Sequence, residues 1–516
     1  MHKYKIAAVI DIGSSVVRMH ISQWDGKMVM TLDKLEKPTQ IGKEVFSTGY
    51  ISFNTVRSLS TILSGFCKKA QEYGVTIVHA IASTAMREAS NRAYVLDHIL
   101  THNKLEVHVL EDAEGSALII NAMKNSGYTL TKKMLLVYGG TGTTDFELLK
   151  NGKIALTHSI QTGFLKISEM LREAADVFKH TDYMAEEYLN MFLMRENRIK
   201  DLWEADGILL GAGDLQPLYK LCKVKFEDGV ISIPAKTLLD IYESYRLLSI
   251  ERICKLHNID IQQGGILYAM LTLIAALLRF TKVKKLFCVQ LSIADAMMNL
   301  LLRPGARKGH DENLRTGAVI SALDLAVRYR CDMNHCSYIT DIALSLFEKL
   351  RKVFGFSKRQ NLLLHIACIL HGSGYYTNSS DIQEAAFNLV KDAHIYGLCS
   401  RETLLAANII APQSLLGVTR NALNKGTLAS DDVLFAAKMH AILRLANDMD
   451  CSHKQKAKLH DLILEDDSLT ISVKIQEDFT LEQWIFRESA SLFQEIFGIT
   501  PQLKINNIYQ QEGKNK

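Results

Sequence analysis

The chain of 516 residues has little proline, six residues in all, and no Pro-, Gly- or Ser-rich stretch that would serve as a linker. Closely packed domains are therefore expected. Its nine cysteines are scattered: none forms a CxxC pair, and Cys331 and Cys336 have no partners at zinc-ligand spacing. This excludes a disulfide scaffold and a zinc ribbon, and fits reduced thiols of a cytoplasmic protein. Long apolar runs are missing too. The longest, "ILYAMLTLIAALL", has 13 residues, stops at Arg279 and reads as a buried helix. The opening "MHKYKIAAVIDIG" lacks the apolar core and cleavage site of a signal peptide. No charge of one sign dominates, since 60 basic and 56 acidic residues leave +4. That is too balanced for a dedicated nucleic-acid binder, although a local basic channel for a polyanion is compatible with it. Neither nucleic acid nor a membrane is expected as a partner. What the chain does have is ample core, with 48% apolar residues, and length for roughly three to four domains.

The main organisational feature is an internal repeat. The first copy is "AAVIDIGSSVVRMHISQWDGKMVMTLDKL" and the second is "MLLVYGGTGTTDFELLKNGKIALTHSI". Each reads as a strand, a Gly/Ser/Thr loop, a strand, a tight turn and a third strand. The turns Asp25-Gly26-Lys27 and Asn151-Gly152-Lys153 have the composition of two-residue hairpin turns, whose central positions need positive φ. Alternating helices and strands follow the first copy: an amphipathic helix in "FNTVRSLSTILSGFCKKAQEYG", a strand in "VTIVHAIAS", a helix in "TAMREASNRAYVLDHILTH", a strand in "LEVHVLE" and a helix from Ala113 to Lys124. Two α/β halves facing a cleft are expected, with the two loops opposed across it. From about Arg303 amphipathic helices take over, and "DLILEDDSLTISVKI" then reads as a closing hairpin and "LEQWIFRESASLFQEIF" as a helix. Boundaries are expected near residues 125, 302 and 425.

Several residues could carry chemistry. Asp11 ends a strand and Gly13-Ser14-Ser15 makes the turn, where amides and hydroxyls can donate to phosphate oxygens and the acid can hold Mg²⁺. A plain hairpin turn with a capping acid explains the same residues. The matching loop Gly139-Gly140-Thr141-Gly142-Thr143-Thr144 tips the balance toward phosphate. Tyr138 stands in the second copy where Asp11 stands in the first, and Asp145 follows the loop as a substitute acid or as a solvent-facing one. Arg87 lies on a helix's first turn, where a guanidinium can reach a bound phosphate or pair with Glu88. Glu111, Asp112 and Glu114 cluster between a strand end and a helix start. Ordinary capping accounts for two of them. Glu114 is the one singled out as general base, since hydrolysis needs a carboxylate to take a proton from water.

These segments, in this order, resemble the exopolyphosphatase/guanosine pentaphosphatase (Ppx/GppA) family. "IDIGSSVVRM" looks like the family's first phosphate loop IDxGSNSxRL, which brings Arg18 among the phosphate-binding residues with Gly13, Ser14 and Ser15. "IGKEVFSTGYIS" looks like the segment before the first long helix, and "IASTAMREASN" is similar to A-T-S-A-x-R-x-A-x-N, placing Arg87 on the phosphate-binding arginine. "EGSALI" falls on EEAxLI, placing Glu114 on the catalytic glutamate, and "VYGGTGTTDF" falls on VDIGGGSTEF. That places Gly140, Thr141, Gly142, Thr143 and Thr144 on phosphate, and Asp145 in a catalytic and metal-holding role beside Asp11. "SIQTGFLKISE" and "ILRLANDMDCSH" resemble two further family segments.

The resemblance implies two ribonuclease H-like, actin-like (ASKHA) domains facing a cleft, residues 1–125 and 126–302. An all-α HD-like domain, 303–425, and a small α+β C-terminal domain, 426–516, would follow. It also implies Mg²⁺ or Mn²⁺, long-chain inorganic polyphosphate as the first substrate with guanosine pentaphosphate second, and, by analogy, a homodimer. Basic runs such as "KVKK" and "RPGARKGH" are candidates for lining a polyanion groove. The departures are chemical: Tyr138 for an aspartate, Asp145 for a glutamate, Gly115 for the second glutamate of EEA, Asp214 in "GAGDL", and Ile293-Ala294-Asp295-Ala296 where the family has L-R-E-G. In the helical part Gly372 and Ala385 stand at metal-ligand positions, so His335 and His371 make a poor metal site. The leading reading is a phosphoanhydride hydrolase. A binding or regulatory protein on the same fold is the alternative, and an ATP-using kinase is a third.

Overall fold

The computed structural model describes residues 5–82, 84–111, 114–115, 117–119, 122, 133–140, 143–160, 162–177, 184–194, 204–212, 215–224, 230–281, 283–377, 380–393, 395–411 and 428–507. The boundaries expected near 125 and 425 fall outside these residues, as do Thr141, Gly142, Asp112 and Asp214. The chain divides into two compact units, Met1–Gly317 and Ala318–Lys516.

The first unit holds two sheets of the same topology. In one, β1 (Ile6–Ile12), β2 (Val16–Trp24), β3 (Val29–Pro38), β4 (Ile77–Ala82) and β5 (Val107–Val109) lie in the order β3-β2-β1-β4-β5. The other contains β6 (Lys133–Gly139), β7 (Thr144–Lys150), β8 (Lys153–Ile160), β9 (Gly207–Ala212), β10 (Val230–Pro234) and β11 (Lys285–Gln290) in the order β10-β11-β9-β6-β7-β8. In each, a three-stranded antiparallel meander pairs in parallel, through its first strand, with strands that follow helices. The second sheet adds the antiparallel edge strand β10. The repeat is thus a fold repeat. Parallel strands need crossovers and come to lie inside, so β1 is buried almost throughout and β9 throughout.

The two tight turns differ. Asn151 and Gly152 have φ of 52° and 74°, as expected of a two-residue turn. In the first turn only Gly26 is positive, at 102°, and Asp25 Oδ1 accepts from the amides of Lys27 and Met28 at 2.7 and 2.8 Å. An Asx turn has replaced the left-handed pair.

The helix Phe53–Glu72 starts at Ser52, and Glu44 accepts from the Ser52 amide at 2.8 Å and from the Thr55 hydroxyl at 2.7 Å. The helix Ile261–Thr281 is the core helix of the second sheet's layer, packed on the helix Phe164–Val177. Its stretch Gln263–Thr281 is apolar and long enough to cross a membrane, longer than the apolar run alone suggests, yet 83% of it is buried inside the protein. The helix Ile293–Leu302 follows the second sheet in sequence but packs on β1, β2 and β3 of the first.

The second unit is mainly helical: Met333–Phe354, Lys358–Leu370, Ile382–Lys391, Ser400–Ile410 and Ser430–Asp448 surround a core that includes Phe347, Leu364, Ala406 and Ile442. The hairpin β12 (Ala457–Leu464) and β13 (Ser468–Ile475) follows, then the helix Thr480–Phe497. β14 (Thr500–Asn507), a strand the sequence did not announce, pairs in parallel with β13. His335 and His371 do come together, with ring centroids 5.1 Å apart. His335 Nδ1 bonds Asp450 Oδ2 at 2.8 Å and its Nε2 bonds Asn447 at 3.1 Å, so both nitrogens are occupied. Among the described residues no group of three or more His, Cys, Asp or Glu side chains could hold a metal ion.

Candidate active site

The two hairpin loops line one cavity of about 340 Å³ in the first unit. Their turns share one backbone bond. Gly13 N–H donates to Val16 O at 3.1 Å, and Gly140 N–H donates to Thr143 O at 2.9 Å. Each loop is tied to the start of a helix: Gly42 N–H donates to Ser14 O at 2.8 Å, and Phe164 N–H to Gly140 O at 3.0 Å. Helix N-termini beside such turns favour anions. Gly139 is required by contact, since a Cβ there would lie 2.1 Å from the Phe164 ring.

Strand register pairs Asp11 with Arg18, and Arg18 with Glu36. In the second hairpin the same positions pair Tyr138 with Asp145. Asp145 is therefore the counterpart of Arg18, across the hairpin from the missing acid. The second copy has moved its carboxylate from the first strand to the second.

Asp11 is 6% exposed, and burial pushes its carboxyl up to about 6, against the opposing pull of Arg18 and His20 and with a further push from Asp295. Burial, with Asp11 and Asp145 adding negative charge, pushes the Tyr138 phenol far above its ordinary value, so it stays neutral. Arg18 Nε bonds Glu36 Oε1 at 2.9 Å. His20 Nδ1 bonds Asp295 Oδ1 at 2.8 Å, and Asp295 also closes a capping box with Ser292. Burial works against the Asp295 carboxylate, but His20, Ser292 and Lys34 outweigh it and hold it well below the usual range.

Asp11, Gly13, Ser14, Ser15, Arg18, Arg87, Gly140, Thr143 and Asp145 all line the cavity. Arg87 Nη1 also donates to Leu110 O at 2.8 Å. Thr144 is not on the wall: it is fully buried, and its hydroxyl donates to Thr162 O at 2.8 Å. Glu114 is not on the wall either. His108 Nε2 lies 3.1 Å from both of its carboxylate oxygens, and this bond raises the His108 pKa. Glu111 and Gly115 line the cavity instead.

Sequence reasoning passed over three parts of this site. Glu111 was indistinguishable from a helix cap. His20 and Asp295 are 275 positions apart, and only the packing of Ile293–Leu302 on β2 joins them. The third part is a wall from Gln263 and the apolar Ile266, Leu267 and Met270 on one helix, with Phe164, Pro217 and Ile293 lining the same cavity. Its helical spacing was the signal, and burial in a core was the simpler explanation. Among the described residues, Lys284 and Lys285 of "KVKK" and the basic residues of "RPGARKGH" do not line the cavity.

Two paired-loop hairpins on duplicated sheets thus bring acids and guanidinium groups around one cavity. The comparisons identify the protein family. The Ppx/GppA phosphatase family model matches residues 20–227, and the model of its domain III matches residues 319–491. A guanosine-5'-triphosphate,3'-diphosphate pyrophosphatase of Photobacterium profundum is 20% identical over 419 residues, 78% of this chain and 79% of that protein. An exopolyphosphatase of Cytophaga hutchinsonii shares the fold at 16% identity with a TM-score of 0.51, over 58% of this chain and 97% of its own. The Aquifex aeolicus Ppx/GppA family member aligns over 60% of this chain and 99% of its own, at 18% identity and a TM-score of 0.49. The chain belongs to the Ppx/GppA phosphatase family.

Proposed function

We propose that the protein hydrolyses the terminal phosphoanhydride bond of a phosphate chain, with inorganic polyphosphate and guanosine pentaphosphate as its candidate substrates. The observation that carries this reading is the convergence of both hairpin loops, Arg18, Arg87, Asp11 and Asp145 on one cavity. The turn amides and guanidinium groups bind the phosphates, and an in-line attack by water needs little more from the protein than positioning and charge stabilisation.

The carboxylates Asp11, Glu111, Asp145 and Asp260 on this wall outnumber the two arginines. A polyanion needs a cation between itself and these acids. The all-oxygen donor set, and a buried Asp11 whose charge is costly alone, fit Mg²⁺ or Mn²⁺. Asp11 and Asp145 would hold the ion. When bound, it neutralises charge on the phosphates.

The apolar face along Ile266, Leu267 and Met270 favours guanosine pentaphosphate, because bare polyphosphate has no group to bury there. The reading extends to a cytoplasmic homodimer and an HD-like origin for the second unit's helices, with no metal proposed at His335 and His371. Phosphate release from both substrates, with Mg²⁺ or Mn²⁺, is the test. Release from either supports hydrolysis. Tight binding without release would instead select a regulatory binding protein.

A further inference from the structure

We propose that Glu111, rather than Glu114, is the general base of this cleft; the proposal rests on the hydrolytic reading above. β5 ends at Val109, and Leu110 N–H donates to Ala82 O at 2.8 Å, continuing the chain alongside β4. Leu110 O in turn takes the Arg87 guanidinium. The next residue, Glu111, therefore reaches the cavity wall beside the arginine that would hold the phosphate.

The turn that follows is closed on Glu111 O, which accepts from the amides of Glu114 and Gly115 at 3.1 and 3.2 Å. Positions 111 and 115, four apart, line the cavity and position 114 does not. Glu114 is occupied by His108 on β5. Of the two acids in the EEA motif, the second therefore faces the substrate, and this chain has glycine there. Among the described residues a Cβ on Gly115 finds Ile293 Cδ1 as its nearest neighbour, at an ordinary contact distance of 3.7 Å. Glu111 supplies from the preceding turn the carboxylate that Gly115 lacks.

In the step itself a water oxygen forms a bond to the terminal phosphorus while its proton passes to Glu111. The bond from that phosphorus to the bridging oxygen breaks, and the bridging oxygen keeps the electron pair. Inorganic phosphate and the shortened chain are the products.

The test is phosphate release from guanosine pentaphosphate by the full chain with Mg²⁺, across pH. Glu111→Gln is expected to lower kcat by about 100-fold or more, within the usual range for a general base. It should be at least about ten-fold more damaging than Glu114→Gln and should abolish the acid limb of the pH–rate profile. Adding Gly115→Glu to Glu111→Gln should restore at least about ten-fold. Unchanged melting temperatures would show that each variant is folded. A more damaging Glu114→Gln, or an acid limb that survives Glu111→Gln, overturns the proposal. A wild-type chain that releases nothing overturns it together with the hydrolytic reading. If Gly115→Glu alone then gains turnover, the cleft's substrate class stands and only the role of Glu111 falls.

Discussion

The two hairpins of the first unit have one backbone and two chemistries. Both make the same turn bond, both pair their strands in the same register, and both tie to a helix start. Yet one carries Asp11 opposite Arg18 and the other Tyr138 opposite Asp145. A duplicated scaffold preserves positions, because register fixes which residues face the cavity. It does not preserve charge. Moving the acid across the second hairpin keeps a carboxylate at the cavity, on Asp145, while leaving none at Tyr138, the counterpart of Asp11.

Four experiments would break or sharpen this contrast. The largest effect is expected from Gly139→Ala. Its counterpart in the first hairpin is Ile12, but here the Phe164 ring occupies the Cβ position. Overpacking of this kind should cost about 3 kcal/mol in urea unfolding. A neutral result would mean that the ring yields freely.

Asp11→Asn should lower phosphate release by about 100-fold, as for loss of a positioned charge. It should also stabilise the metal-free protein in a pH-dependent way. The folded-state value is raised to about 6, so the stability Asp11 contributes is full below its ordinary range and is lost as pH rises through that value. At pH 7.5 Asp11→Asn should gain up to about 3 kcal/mol over wild type, and at pH 4 almost nothing. Equal unfolding midpoints at pH 7.5 would refute the burial argument.

Tyr138→Asp restores the first hairpin's chemistry in the second. A fifth acid then lines the cavity beside Asp11, Glu111, Asp145 and Asp260, so the melting temperature should fall without Mg²⁺ and recover with it, and release should rise by about ten-fold. A variant indifferent to Mg²⁺ would show that the site is not built for a cation.

The smallest effect belongs to the outer turns. Asn151→Ala forces an alanine into a left-handed conformation and should cost about 1 kcal/mol, with Asn151→Gly recovering most of it. In the first turn Asp25→Gly should not recover stability, because there the side chain accepts two amide bonds.

The hairpins, most helices and the loop residues were legible because local signals fix them: apolar alternation, Gly-rich turns and helical periodicity. The side of a turn that a residue faces was less legible. Glu111 and Glu114 are both acids at a helix start, and only the paths of β4 and β5 decide that one meets the cavity and the other His108. β14 was obscured by its polar composition, and its parallel pairing with β13 requires the crossover through the helix Thr480–Phe497, which no local turn signal announces.

The sequence by itself determined the duplication, the two Gly/Ser/Thr loops and the exchanged charges, since each is written in a few consecutive residues. Only the tertiary structure decided that His20 meets Asp295, that one face of Ile261–Thr281 becomes a cavity wall, and which glutamate lines the cavity. Those outcomes depend on packing between segments tens to hundreds of residues apart, where no local propensity reaches.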